Sequence, residues 1–131
     1  RDVSILRQTP AAIRFVSLEP QLEEVKMDLA GIGWLICGGE SGPKARPLDL
    51  AWARSAIAQC KAAGVAAFVK QIGSKPYSGR LENGWSKLFS DRYGQHPTGE
   101  SAPDAMRDRK GGDMGEWPED LRIRQFPEAL P

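Results

Sequence analysis

Gly38-Gly39-Glu40-Ser41-Gly42 is the stretch whose residue types most directly suggest chemistry. Glycines after an apolar run allow positive φ and close approach of backbone to a ligand. Successive N–H groups in such a turn can form an anion-binding nest. Glu40 could accept from an amine or hydroxyl, and Ser41 could donate. The competing reading is a plain glycine-rich turn with Glu40 facing solvent. Neither GxGxxG nor a Gly-Lys-Ser/Thr ending is present, so the dinucleotide and P-loop fingerprints are absent. Lys44 and Arg46 follow, with Pro47 stiffening the chain. Arg46 is suited to a bidentate hold on phosphate or carboxylate, although single basic loop residues are often simply solvated.

Two further clusters gain interest from their positions. Glu19-Pro20 and Lys70-Gln71 each close an apolar run. A carboxylate and an ammonium at neighbouring strand ends either pair with each other or address a substrate together with Glu40. Two carboxylates near one pocket divide acid and base roles when their environments separate their pKa values. The candidate ligand contacts are therefore Glu19, Gly38, Gly39, Glu40, Ser41, Arg46, Lys70 and Gln71; no catalytic residue and no metal ligand is assigned. His96 stands among Gly, Gln, Pro and Thr and reads as a loop histidine without a role. Trp34, Trp52, Trp85 and Trp117 read as core and docking residues rather than a base-stacking platform, with Trp85 the candidate exposed aromatic.

The clusters share one placement, at the ends of strand-like runs: Ile13 to Leu18, Gly33 to Cys37, and Ala66 to Val69. Continuous apolar runs suit strands buried on both faces, as in parallel sheets covered by helices. In such folds ligands gather beyond the carboxyl ends of the strands, so the clusters are expected along one edge. Between the second and third runs, Asp49 caps a helix over Leu50 to Ala63, whose Leu50, Ala53, Ile57 and Cys60 make an apolar stripe. Gly64 supplies a left-handed stop. A helix between buried strands implies a parallel pair with a right-handed crossover. Arg1 to Gln8 reads as the end of a helix halted before Thr9-Pro10, and Gln21 to Met27 as one or two helical turns.

The chain has 131 residues, 40% apolar and 27% charged, which fits one soluble globular domain. Eighteen Lys and Arg against 17 Asp and Glu leave a net charge of +1, without the basic excess of a dedicated nucleic-acid binder. Cys37 and Cys60 lack metal-ligand spacing and read as small core residues rather than a disulfide. With no secretory leader and no apolar run near about 18 residues, a cytoplasmic location and no membrane partner are expected.

Residues 1–73 thus form the α/β unit, and 74–131 an irregular extension packed on it. Within the extension, Gly84 to Phe89 reads as a short amphipathic element and His96 to Gly112 as a mobile loop. Trp117 to Pro127 reads as ordered, with Trp117, Leu121, Ile123 and Phe126 available for docking. Three parallel strands leave two open edges, and the chain starts inside a helix; a piece of a larger protein accounts for both.

The ordered blocks Phe15-Val16-Ser17-Leu18-Glu19-Pro20, Trp34 to Gly42, Ala45-Arg46-Pro47, Trp52, Cys60, Phe68 to Gly73, Lys110-Gly111-Gly112-Asp113 and Trp117 to Arg122 resemble the phage-associated "gp" protein family of unknown function. Full-length members are similar to radical-SAM enzymes, with an upstream cysteine cluster and a partial (β/α) barrel. The resemblance implies that this chain is the C-terminal half only: a barrel fragment with three parallel strands in sequential order, flanking helices and a long irregular C-terminal segment. It implies SAM and an iron–sulfur cluster in the full-length protein, and no cofactor and no activity in this fragment alone. The missing N-terminal half would then be its main partner. Radical-SAM enzymes carry Gly-Gly-Glu on an early strand; Gly38-Gly39-Glu40 lies on a late one and reads as a ligand or substrate contact. The alternative function is a non-catalytic module binding a small molecule, a phosphate or nucleotide, or a protein partner.

Overall fold

In the computed structural model, residues 3–77 and 107–128 are described. In chain order their elements are α1 (Ser4–Gln8), β1 (Phe15–Leu18), β2 (Trp34–Gly38), β3 (Leu48–Asp49), α2 (Leu50–Ala63), β4 (Ala66–Gln71) and β5 (Pro76–Tyr77), then 3-10 turns at Met114–Glu116 and Glu119–Leu121. The three expected strands form one parallel sheet in the order β1-β2-β4. Phe15 stands opposite Trp34 in the first pair and Trp34 opposite Ala66 in the second. Cys37 pairs with Val69, but Gly38 pairs with Gln71, so Lys70 is the extra residue of a bulge. Among the described residues the sheet stays open and does not close into a barrel.

Local chemistry explains α2. The Asp49 carboxylate accepts from Ala51 N at 2.9 Å, and Gly64 ends the helix at φ 67°. Its buried residues are Leu50, Ala53, Ala56 and Cys60. The expected stripe is therefore corrected at one position. Ile57 is only half-buried, because the small Ala53 and Ala56 let the helix axis sit close to the sheet and leave the larger Ile57 on the flank. Val16, Leu18, Leu35, Cys37, Ala67 and Val69 meet this helix in a single core with Val25, Leu29 and Ile32.

The segment Gln21 to Met27 is not helical. Its backbone groups are satisfied from elsewhere: Gln21 N donates to Gly38 O, Met27 N to Gln59 Oε1 at 3.0 Å, and Gln59 Nε2 to Val25 O at 2.8 Å. A side chain of α2 thus replaces the hydrogen bonds a helix would have made. The small parallel pair β3–β5, with Leu48 opposite Pro76, had no sequence signal because each strand is two residues long.

The expected docking segment takes an unforeseen form. Val69 N donates to Ile123 O and Gln125 N to Ala67 O, both at 2.8 Å, around an antiparallel bridge between Phe68 and Arg124. The outer edge of β4 is therefore covered, and one of the two expected open edges is not open. Trp117 and Leu121 are buried and Ile123 partly so, whereas Phe126 is 68% exposed. Phe126 instead lies 5.5 Å from the Trp34 ring and 5.4 Å from that of Phe68.

A second correction concerns the strands themselves. The expectation is burial on both faces, but among the described residues only the α2 face is sealed. Phe15, Ser17, Trp34, Ile36 and Phe68 alternate onto the other face, where Phe15 is 53% exposed and the rest are half-buried or exposed. The expected element at Gly84 to Phe89, Trp85, His96 and residues 96–106 lie outside the described residues. Residues 107–112 form a turn in which the buried Glu116 carboxylate accepts from Arg107 N at 2.7 Å and Asp108 N at 3.0 Å.

Candidate functional site

Parallel pairing puts the carboxyl ends of β1, β2 and β4 on one side, and the candidate residues gather there. Glu19 follows β1, Gly38 ends β2 and leads into Gly39, Glu40 and Ser41, and Lys70 and Gln71 close β4. Arg46 reaches the same edge through Glu40.

The glycines here serve chain-to-chain packing. A Cβ on Gly39 would sit 2.6 Å from Ile72 O, and one on Gly73, at φ 77°, would sit 2.8 Å from Glu40 O. A Cβ on Gly111 would collide with Gly73 O. Three backbone segments therefore touch where any side chain would hold them apart. Gly39 N donates to Gln71 O at 3.0 Å, and Gly42 N to Ser74 Oγ at 2.9 Å. Gln71 Nε2 in turn donates to Gly39 O at 3.0 Å and Ser41 Oγ at 2.8 Å. Those N–H groups are spent within the protein rather than offered to an anion.

The charged residues form two separate pairs. Glu40 Oε2 accepts from Arg46 Nε at 2.7 Å and from Arg46 N at 3.1 Å. These hydrogen bonds from Arg46 hold the Glu40 carboxyl below its ordinary range. Across the central strand, from the ends of the two outer ones, Glu19 Oε1 lies 3.4 Å from Lys70 Nζ, and Ser17 Oγ donates to Glu19 Oε2 at 2.8 Å. Gly38 lies between them, where a Cβ would meet Glu19 Oε1 at 3.1 Å. Lys44 is exposed.

Sequence reasoning missed Ser17, Gly73 and Ser74. Ser17 had a usable signal, because residues two apart share a strand face and it stands two before Glu19. Gly73 lay inside a strand-end cluster but gave no sign of its contact with Gly39. An open depression of about 990 Å³ lies at the opposite, amino edge of the sheet, among Ile13, Ile32, Ile57, Val65 and Phe126. None of the candidate residues lines it.

Cys37 and Cys60 are both buried and unpaired. Burial pushes the Cys37 thiol up to about 12, with Cys60 and Glu19 adding repulsion, and burial pushes Cys60 to about 11. At neutral pH both therefore stand as neutral thiols. Among the described residues no group of three or more His, Cys, Asp or Glu is placed to hold a metal ion. These residues therefore do not fit an iron–sulfur cluster.

Fold and edge together define a parallel α/β protein with polar side chains collected at the carboxyl ends of its strands. Within that class, the family model described as "Protein of unknown function (DUF5131)" matches residues 1–113, and the chain belongs to that family. The description names neither a phage role nor radical-SAM chemistry. No curated protein and no solved structure matches the chain. Among the described residues no helix is long and apolar enough to cross a membrane.

Proposed function

We propose that this chain forms the substrate-facing wall of a barrel-like enzyme, with radical-SAM chemistry as the reaction its sequence resemblance points to. One observation carries the reading: the unsealed face of the sheet changes character in layers along the strands. Phe15 and Trp34 stand side by side at the amino end, Ser17, Ile36 and Phe68 follow, and Glu19, Gly38 and Lys70 come last. Barrel interiors are filled by such layers below, while chemistry sits at the carboxyl end. In this reading Glu19 and Lys70 contact substrate, and Ser17 and Gln71 position the groups around them. A cluster would have to be held by residues beyond those described, and no step is derived through it. The alternative of a phosphate-binding module draws less support, because Arg46 and Lys70 each already face a carboxylate.

The test is made on the full natural gene product that carries this chain, purified without oxygen. Bound iron and sulfide with reductive cleavage of SAM are the expected results. A colourless, iron-free product that leaves SAM intact removes the radical-SAM chemistry. A structure of that product with Phe15, Trp34 and Phe68 turned to bulk solvent removes the barrel wall.

A further inference from the structure

We propose that Glu19 and Lys70 are a receptor for the zwitterion of an α-amino acid with an apolar side chain; this rests on the reading that the unsealed face is turned to substrate. The two charges come from the outer strands of the sheet and meet across the central one at 3.4 Å. Gly38 occupies the central strand between them, so no side chain of that strand separates the two charges, and the Gln71 side chain flanks the same spot. The Ser17 hydroxyl fixes Glu19 through Oε2, leaving Oε1 directed at the ammonium.

A close pair of opposite charges whose side chains are partly exposed is completed best by a second pair arranged in alternation. An α-amino acid carries its ammonium and carboxylate on one carbon, at a spacing that matches the protein pair. Its ammonium would lie beside Glu19 and its carboxylate beside Lys70, so every neighbour in the ring of four charges is opposite in sign. The protein pair need not separate, so its mutual attraction is retained. A lone anion would instead compete with Glu19 for Lys70, and a lone cation with Lys70 for Glu19. Below the charges stand Ile36 and Phe68, then Trp34, all half-buried. They offer apolar surface to the side chain of the ligand, whereas a polar side chain would lose its water there.

The probe is L-phenylalanine, with phenethylamine and 3-phenylpropionate as halves lacking one charge each, titrated calorimetrically into the full natural gene product. The intact amino acid should bind about tenfold or more tightly than either half, the size of one lost charge-assisted contact. Lys70→Gln should reduce L-phenylalanine to the affinity of phenethylamine, and Glu19→Gln to that of 3-phenylpropionate. Circular dichroism confirms that both variants fold, and Ser17→Ala, which loosens Glu19 without removing charge, should weaken binding by less. Equal binding of the amino acid and its halves overturns the proposal, as does no heat with any of them. Tighter binding of cytosine than of L-phenylalanine also overturns it, assigning the pair to a neutral donor–acceptor edge. SAM cleavage by the same product without amino-acid binding would sink this substrate class while leaving the enzyme reading intact.

Discussion

The two faces of the three-stranded sheet are built from similar residue types and meet opposite fates. On one, Leu18, Leu35, Cys37, Ala67 and Val69 lie at 3% exposure or less beneath α2. On the other, Phe15, Trp34, Ile36 and Phe68 are just as apolar yet stay half-buried or exposed. Apolar composition thus shows that a face can be buried, and packing decides whether it is. The sealed face uses aliphatic and small side chains that let a helix lie close. The unsealed face uses aromatics, which pair with one another and with Phe126 at 5.4 to 6.1 Å between centroids, and among the described residues no helix lies over them. The first holds the unit together, and the second stays partly open among the described residues.

The largest expected effect separates the faces directly. Leu35→Ala removes a side chain at 1% exposure and should cost about 2–5 kcal/mol. Phe15→Ala removes a larger side chain that is already half in water, and should cost about 1 kcal/mol or less. Urea midpoints of both variants give the comparison. Losses of equal size would mean that the aromatic face is as tightly packed as the other.

How much of this was legible follows the range of the interactions. The helix Leu50–Ala63, its Asp49 cap and its Gly64 stop are local chemistry and were readable to the residue. The strands and their sequential parallel order were also readable, since a helix between two apolar runs leaves few arrangements. One-sided burial was not, because Trp34 and Leu35 look alike in a sequence and differ only by what lies across from them. The irregular path of Gln21 to Met27 depends on Gln59, more than thirty residues away. At the site, Glu19, Glu40 and Lys70 could be placed on one edge, and the Glu19–Lys70 pair was one of two open readings, whereas the pairing of Glu40 with Arg46 gave no signal. The glycines were read for their freedom near a ligand, while the contact that requires them involves Gly73 and Gly111, distant in the chain.

A smaller effect is expected where the two faces end, at the carboxyl edge. Gly39→Ala should destabilise by about 1–3 kcal/mol, the usual range for overpacking, because the added methyl meets the backbone of Ile72 and Gly73. The loss is intrinsic to the protein and should appear in the absence of any ligand. An alanine variant as stable as the native chain would return Gly39 to the role of a ligand-approach glycine and weaken the packing account.

The smallest effect concerns what fastens the C-terminal segment on the sealed side. Leu121 and Trp117 are buried there, while Asp120 between them reaches Arg54 on α2 with two contacts, Nε to Oδ2 at 2.6 Å and a second nitrogen to Oδ1 at 3.2 Å. Hydrogen bonding from Arg54 lowers the Asp120 carboxyl below its ordinary 3.8, and the same bond raises Arg54. A carboxyl depressed by folding stabilises the folded state above its unfolded value and loses that contribution as pH falls through the folded one. Asp120→Asn should therefore cost little at neutral pH, about 0.2–1 kcal/mol for so exposed a pair. The gap between native and variant midpoints should shrink below pH 3.8 and narrow in high salt. Leu121→Ala, by contrast, should show a larger loss with no such pH dependence. If the asparagine variant proves the more damaging of the two, charge rather than burial fastens this segment, and the account of the sealed face as an apolar seam fails where it meets the C-terminus.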